Sequence, residues 1–239
     1  NLVDDAWNAV VSGNLSAVDF LSFTGNFVAE RELAVWQSLA IGIRGVGRLL
    51  QRDHLPLLAA RVRALAGPAL ADLGTTARAG EADLTAKLRG LLVGLVAVTG
   101  QDELMQRRCR DILLHPDADG NDPELVAAAT TVVASIGNVD DYEWVLERFR
   151  NPDTPQEQIR MLYALAEFPE QRHVERAVEF AFSGEVKTQN APFLIHRCIA
   201  NRAHGNVAWQ MLRRRWTEAN DRFPSNTIVR MIDPVKLLN

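Results

Sequence analysis

The sequence predicts an all-α chain, and three observations carry that reading. Apolar residues recur at helical spacing over nearly all of the 239 residues, with no convincing alternation of period two. Start and stop signals punctuate the pattern: Ser16, Asp122 and Thr154 stand as N-caps, and Gly13, Gly100 and Gly137 as stops. From Asp122 onward, predicted helices follow one another roughly every 16–18 residues, so that pairs recur at about 33–36, the range of helical-hairpin repeats. The expected architecture is a right-handed superhelix of antiparallel helix hairpins, HEAT- or armadillo-like, in which stacking buries apolar faces that no hairpin buries alone. One domain over residues 1–239 is expected, because the loops at 75–80 and 116–122 are too short to be flexible linkers.

The elements follow in order. Val3, Ala6, Trp7 and Val10 form one face of a first helix that stops at Gly13. Ser16-Ala-Val-Asp19 reads as a capping box opening a second, to about Glu30. Glu32–Leu50 is a third, with Leu33, Trp36, Leu39, Ala40 and Ile43 on one side. Leu55–Leu73 is a fourth, broken near Gly67-Pro68. Ala82–Val98 is a fifth, and Asp102–Leu114 a sixth with Leu104, Cys109, Ile112 and Leu113 facing inward. Asp122-Pro123-Glu124 starts a seventh, which ends at Gly137-Asn138. Asp140–Phe149 is an eighth; Thr154-Pro-Gln-Glu157 opens a ninth to Phe168 as a full capping box. Gln171–Phe182 is a tenth. Two more lie between Thr188 and Trp216, the first capped by Asn190 with Pro192 in its first turn, the second beginning after a turn at His204-Gly205-Asn206.

Composition excludes several classes. A formal net charge of −4 and no basic tail argue against nucleic acid; Arg213-Arg214-Arg215 reads as a solvated helix face. The richest apolar run, Leu88–Val98, is interrupted by Arg89, Gly90 and Gly94, so no membrane span is expected. Cys109 and Cys198 each sit in an amphipathic helical pattern and read as buried thiols. That fits a reducing compartment, and a cytoplasmic location is expected. The chain opens on a helical pattern without an initiator Met, and a fragment of a longer protein is expected.

Chemistry-bearing motifs are scarce. A zinc protease of the H-E-x-x-H type needs two histidines one helical turn apart. His54, His115, His173, His196 and His204 offer no such pair. His173 reads as exposed in a loop-to-helix turn. His196 and Cys198, two apart, point to different helix faces. No G-x-S-x-G elbow is present. Gly42-Ile-Arg-Gly-Val-Gly47 lies within a helical pattern and reads as close helix packing rather than a phosphate loop. The tryptophans read as packing residues, Trp36 and Trp209 above all. Trp209, Leu212 and Trp216 share a face that should meet Ile195, Cys198 and Ile199.

Several blocks together resemble the C-terminal helical domain of aminopeptidase N-type zinc aminopeptidases, the puromycin-sensitive and endoplasmic-reticulum type. Asn1-Leu-Val-Asp-Asp-Ala-Trp7, Gly13-Asn-Leu-Ser16 and Glu30-Arg-Glu-Leu-Ala-Val-Trp36 form the first block. Thr188-Gln-Asn-Ala-Pro192, Ile199-Ala-Asn201, Gly205 and Ala208-Trp209 through Trp216 form the second. Arg222-Phe-Pro-Ser-Asn-Thr-Ile-Val-Arg230-Met-Ile232 is the third. Each is degenerate alone; their order and spacing along the chain make the likeness.

The resemblance implies a parent enzyme with a β-rich N-terminal domain, a thermolysin-like zinc domain and this helical bowl. The bowl would cover the active site, help bind and size-select peptides, and perform no catalysis alone. Its partners would be those domains of the same polypeptide and peptide substrates; zinc would sit in the catalytic domain outside this chain. In family members an arginine from the segment matching Ile228-Val-Arg230 can point into the catalytic cavity, so Arg230 is the substrate-binding candidate, its guanidinium suited to a carboxylate or peptide carbonyl. The chain departs from the family in three ways. Asn190 stands where Asp is usual, the Gly-Ala-Met-Glu-Asn and H-E-x-x-H motifs are absent, and the chain stops short of the expected last helices. The alternative reading is a free-standing HEAT-like scaffold for a protein partner.

Overall fold

The computed structural model describes residues 2–78 and 80–238. Asn1, which opens the first block above, Ala79 in the expected loop and the final Asn239 lie outside them. Among the described residues the chain is helical with connecting turns and no β-strand, so the all-α reading holds. It divides into two compact units, Asn1–Val132 and Val133–Asn239.

The first unit holds α1 (Leu2–Val11), α2 (Ala17–Thr24), α3 (Leu33–Leu49), α4 (Leu55–Leu73), α5 (Asp83–Gly94), α6 (Glu103–Leu114) and most of α7 (Pro123–Ile136). Its core is built on Phe20, Trp36, Leu39, Ile43, Leu92, Leu95 and Ile112, all essentially inaccessible. The Gly-rich stretch of α3 does what close packing requires. A Cβ on Gly42 would lie 2.3 Å from Phe20 Cζ, and one on Gly45 2.2 Å from Trp7 Cζ2. Aromatic rings from α1 and α2 therefore occupy the space that side chains would take.

Ser16 accepts from the Asp19 amide at 3.0 Å, but the Asp19 carboxylate accepts from the Ser16 hydroxyl (2.7 Å) and not from its amide, so the expected box is half-formed; α2 is also shorter than expected and tightens into a 3-10 turn at Gly25–Phe27. α4 is not broken at Gly67-Pro68: it runs through both. Leu65, Ala66, Ala69 and Leu70 are buried on either side of the proline, so one continuous apolar face outweighs the lost hydrogen bond. α5 continues through a wide π turn, Leu95–Thr99, to Gly100. In α6, Leu104 is 71% exposed rather than inward-facing. It lies five residues before Cys109, about 140° round the helix from that buried line.

Arg89 is the largest surprise in this unit. It is wholly buried, where a charged side chain is rare without partners. Its guanidinium ion-pairs with Glu81 and with Asp122 (3.1 Å), and donates to the Gly74 carbonyl (3.1 Å). Asp122 is also the N-cap of α7, accepting from the Glu124 and Leu125 amides. A single arginine thus ties the start of α7 to the segment before α5, and the Ala77 amide adds a bond to Gly120.

The second unit begins within α7 and holds α8 (Val139–Arg150), α9 (Pro155–Ala164), α10 (Gln171–Ala181), α11 (Ala191–Ala200), α12 (Gly205–Arg214), α13 (Trp216–Arg222) and α14 (Ser225–Ile232). From α7 to α10 each helix begins 16 residues after the last. Asn138, read as part of a stop, is also a start: it and Asp141 form a reciprocal capping box for α8. At α9, Thr154 accepts from the Glu157 amide, but Glu157 returns its bond to the Asp153 amide instead of to Thr154. α9 closes at Ala164 rather than Phe168, in a turn that places Leu165, Ala166 and Phe168 in the core. Asn190 does not cap α11. Its backbone is already helical (φ −100°, ψ −28°) and its side chain makes no cap bond, so the helix is entered through a turn on the Lys187 carbonyl.

His173 is another correction. It lies fully buried, stacked on Tyr142 (centroids 4.8 Å apart, planes 13° apart) and edge-on to Phe168 (5.4 Å). Trp209 is half-buried against the core as expected, whereas Trp216 is 37% exposed. The helix breaks at Arg215, so Trp216 does not continue the face of Trp209 and Leu212.

Candidate functional site at the C-terminal helices

The stretch between Thr188 and Trp216 contains the α11–α12 hairpin, and Asn201 pins its turn. The Asn201 side chain donates to the carbonyls of Ala166 (2.9 Å) and Phe168 (3.1 Å). Its Oδ1 accepts from the Ala203 (3.0 Å) and His204 (3.1 Å) amides. All of its hydrogen-bonding capacity toward the backbone is spent on holding the turn against the end of α9. His204 adds a bond from Nε2 to the Pro169 carbonyl, 3.0 Å away. Gly205 must be glycine, since a Cβ there would lie 2.1 Å from the Ile199 carbonyl oxygen.

α14 packs along α11. Met231 is fully buried, and Ile228 and Ile232 are half-buried against the same core. The opposite face carries Val229, 73% exposed, and Arg230. The Arg230 guanidinium makes no ion pair or hydrogen bond among the described residues. Its main-chain carbonyl, by contrast, is held: His196 Nδ1 lies 2.7 Å away. A carbonyl only accepts, so the proton sits on Nδ1. The arginine's backbone is thereby pinned from α11 while its side chain stays available. Two other arginines of this region, Arg215 and Arg222, are engaged, whereas the Arg214 side chain is exposed and makes no ion pair or hydrogen bond among the described residues. Arg215 forks onto Glu218 and lies over the Phe182 ring at 3.9 Å; Arg222 bonds Glu218 and the Phe182 carbonyl.

The remaining chemistry-bearing residues are occupied structurally. Burial pushes the Cys109 thiol up to about 12 and the Cys198 thiol higher still, which leaves both un-ionised and inert. His196 and Cys198 do not converge, because Cys198 faces the core and His196 spends Nδ1 on Arg230. A cleft of about 230 Å³ lies beside Tyr142, Arg150, Arg176, Glu179 and Phe180. Its two guanidiniums are already paired, Arg176 with Glu143 and Arg150 with Glu185. Among the described residues no three His, Cys, Asp or Glu side chains gather to hold a metal. These residues therefore do not fit a zinc site.

Sequence reasoning missed His196 and Asn201 as the residues that position this surface. In the sequence Asn201 stands out only through the family likeness, and His196 acts on a residue 34 positions away, which leaves no local spacing to read.

Comparison with known proteins places the chain in a family. The chain is 27% identical over 246 residues to aminopeptidase M1-A of Oryza sativa, covering 93% of this chain and 26% of that protein. It is 31% identical over 166 residues to aminopeptidase M1 of Arabidopsis thaliana, covering 66% of this chain and 18% of that protein. Endoplasmic reticulum aminopeptidase 2 of Homo sapiens is 33% identical over 106 residues, 42% of this chain and 11% of that protein. The chain thus spans about a quarter or less of the length of these relatives. The ERAP1-like C-terminal domain family matches residues 1–235, essentially end to end, and the chain belongs to that family.

Proposed function

We propose that this chain is the helical lid of a zinc-dependent aminopeptidase that removes amino-terminal residues from peptides. In this reading it acts as one superhelical, HEAT-like domain, covers the active site formed by other domains of the same polypeptide, and helps bind and size-select the peptide without catalysing hydrolysis itself. The observation that carries the reading is the family match over residues 1–235 together with relatives that are named aminopeptidases. Zinc would be held by the catalytic domain.

Arg230 is the substrate-binding residue of this proposal. Its free guanidinium on a pinned backbone is the arrangement a carboxylate clamp needs, since a fixed fork gives a bidentate contact at little ordering cost. The two buried thiols support a cytoplasmic location. No helix among the described residues is long and apolar enough to cross a membrane.

The test is Arg230→Ala in the full-length enzyme. It should raise KM for peptides by roughly 10-fold, the worth of one charge-assisted contact, and leave KM for single-residue arylamides unchanged. Equal effects on both substrates would assign Arg230 a structural role.

A further inference from the structure

His173 is the one buried ionisable side chain whose two ring nitrogens, Nδ1 and Nε2, both lack a hydrogen-bond partner among the described residues. Buried polar atoms are normally satisfied, so such a residue calls for a physical reason. The imidazole is closed in by Tyr142 from α8 and Phe168 from the turn after α9, with stacking and edge contacts. A neutral ring fits this slot as an aromatic would; an imidazolium would carry two N–H donors into a place with no acceptor.

We propose that His173 is a proton-sensitive clasp between α8 and α10: neutral, it packs as an aromatic, and protonation in mild acid loosens the two helices from each other. The charged groups around it do not rescue the cation. Glu170, at the start of α10, and Glu143, on α8, favour a charge on the ring, while Arg172 and Arg176 oppose it. Glu143 is moreover committed to Arg176. The Arg176 guanidinium already lies 4.6 Å from the Tyr142 ring centroid, so an imidazolium stacked on the same ring would meet a like charge. From α11 the Cys198 thiol acts on Tyr142 and is held neutral by burial, and His204 at the head of α12 is engaged with Pro169. Burial is the leading influence, and it holds the His173 pKa below its ordinary value.

The direction follows from linkage. The unfolded chain takes up a proton on this residue as the pH falls below about 6.5, and the folded chain resists doing so. The contribution is fully present above that value and is lost as the pH falls toward the depressed folded value. The folding equilibrium loses up to about tenfold per pH unit within that window.

The experiment is hydrogen exchange of the whole chain between pH 7.5 and 5.0, corrected for the intrinsic exchange rate and read on peptides from α8 and α10, for the wild type and His173→Phe. In the wild type, protection of these peptides should fall by up to about tenfold per pH unit below 6.5, and in H173F it should stay level. Equal pH dependence in both proteins overturns the proposal. Imidazole NMR of the wild type gives a second readout that needs no variant. The His173 ring should remain neutral in the folded protein well below pH 6.5, and titration at the ordinary value would overturn the proposal even if H173F failed to fold.

Discussion

His196 donates its Nδ1 proton to the main-chain carbonyl of Arg230 across 2.7 Å, joining the middle of α11 to the last turn of α14. This carbonyl belongs to a helix end, where four C=O groups lack intrahelical partners. Asparagine can present an amide N–H near the position of an imidazole Nδ1–H, whereas alanine cannot. His196→Ala should therefore cost about 0.5–1.5 kcal/mol and raise amide exchange across 228–232, and His196→Asn should recover most of both. Identical behaviour of the two variants in urea unfolding and exchange would show that the bond contributes nothing.

Two glycines of α3 make opposite demands on their neighbours. At Gly42 the obstacle is Phe20, which is fully buried and has nowhere to go. At Gly45 it is Trp7, which is only half-buried and can swing outward. Replacing a mid-helix glycine by alanine contributes about 1 kcal/mol of helix propensity, while overpacking a core costs about 1–3 kcal/mol. Gly42→Ala should be net destabilising and Gly45→Ala close to neutral. Adding Phe20→Leu to Gly42→Ala should cost less than the sum of the single changes. Urea midpoints decide this, and strict additivity would sink the packing account.

Helix existence was legible as far as α12 because burying one face imposes a period of about 3.6 residues, and the caps at Ser16, Asp122 and Thr154 were legible because those side chains accept locally. The failures have physical causes. Pro68 reads as a break because propensity is local, yet the buried faces on both sides hold the helix together. His173 reads as exposed because imidazole is polar. The stripe that continues through Ala177 and Phe180 was nevertheless in the sequence, and it places residue 173 inside. Arg89 reads as an interruption of an apolar run. Its partners Glu81 and Asp122 are 8 and 33 residues away, and only the fold brings them together. Arg230 emerged from family likeness rather than periodicity, and nothing local marks the histidine that pins its backbone.

The Arg89 clasp gives a prediction with a pH signature. Arg89→Met fills much of the same volume but leaves Glu81 and Asp122 facing each other without their cation. Breaking a buried pair from one side costs about 3–5 kcal/mol. The Arg89 guanidinium, through its hydrogen bond to Glu81, holds that carboxyl below its ordinary value. Its stabilising contribution is present above the ordinary value, near 4.5, and is lost as the pH falls through the depressed one. The stability gap between wild type and R89M, measured by urea unfolding, should therefore be wide at pH 7 and narrower at pH 3.5. A gap that stays constant would place the cost in packing and not in charge.

Asn201 offers the sharpest separation of donor from acceptor. Its amide donates twice, to Ala166 and Phe168, and its carbonyl accepts twice, from Ala203 and His204. Asn201→Asp keeps the shape and both accepted bonds but turns an oxygen toward two carbonyl oxygens. Asn201→Ala removes all four interactions and leaves the two carbonyls unpartnered, at a cost of about 1–3 kcal/mol for each buried group left unsatisfied. The aspartate variant should be at least as destabilised as the alanine variant at pH 7, and should regain stability on acidification as its carboxyl takes up a proton and can donate again. Thermal unfolding at pH 7 and pH 4 reads both effects. An aspartate variant as stable as wild type at pH 7 would mean that the donated bonds do not hold the α11–α12 turn to the end of α9.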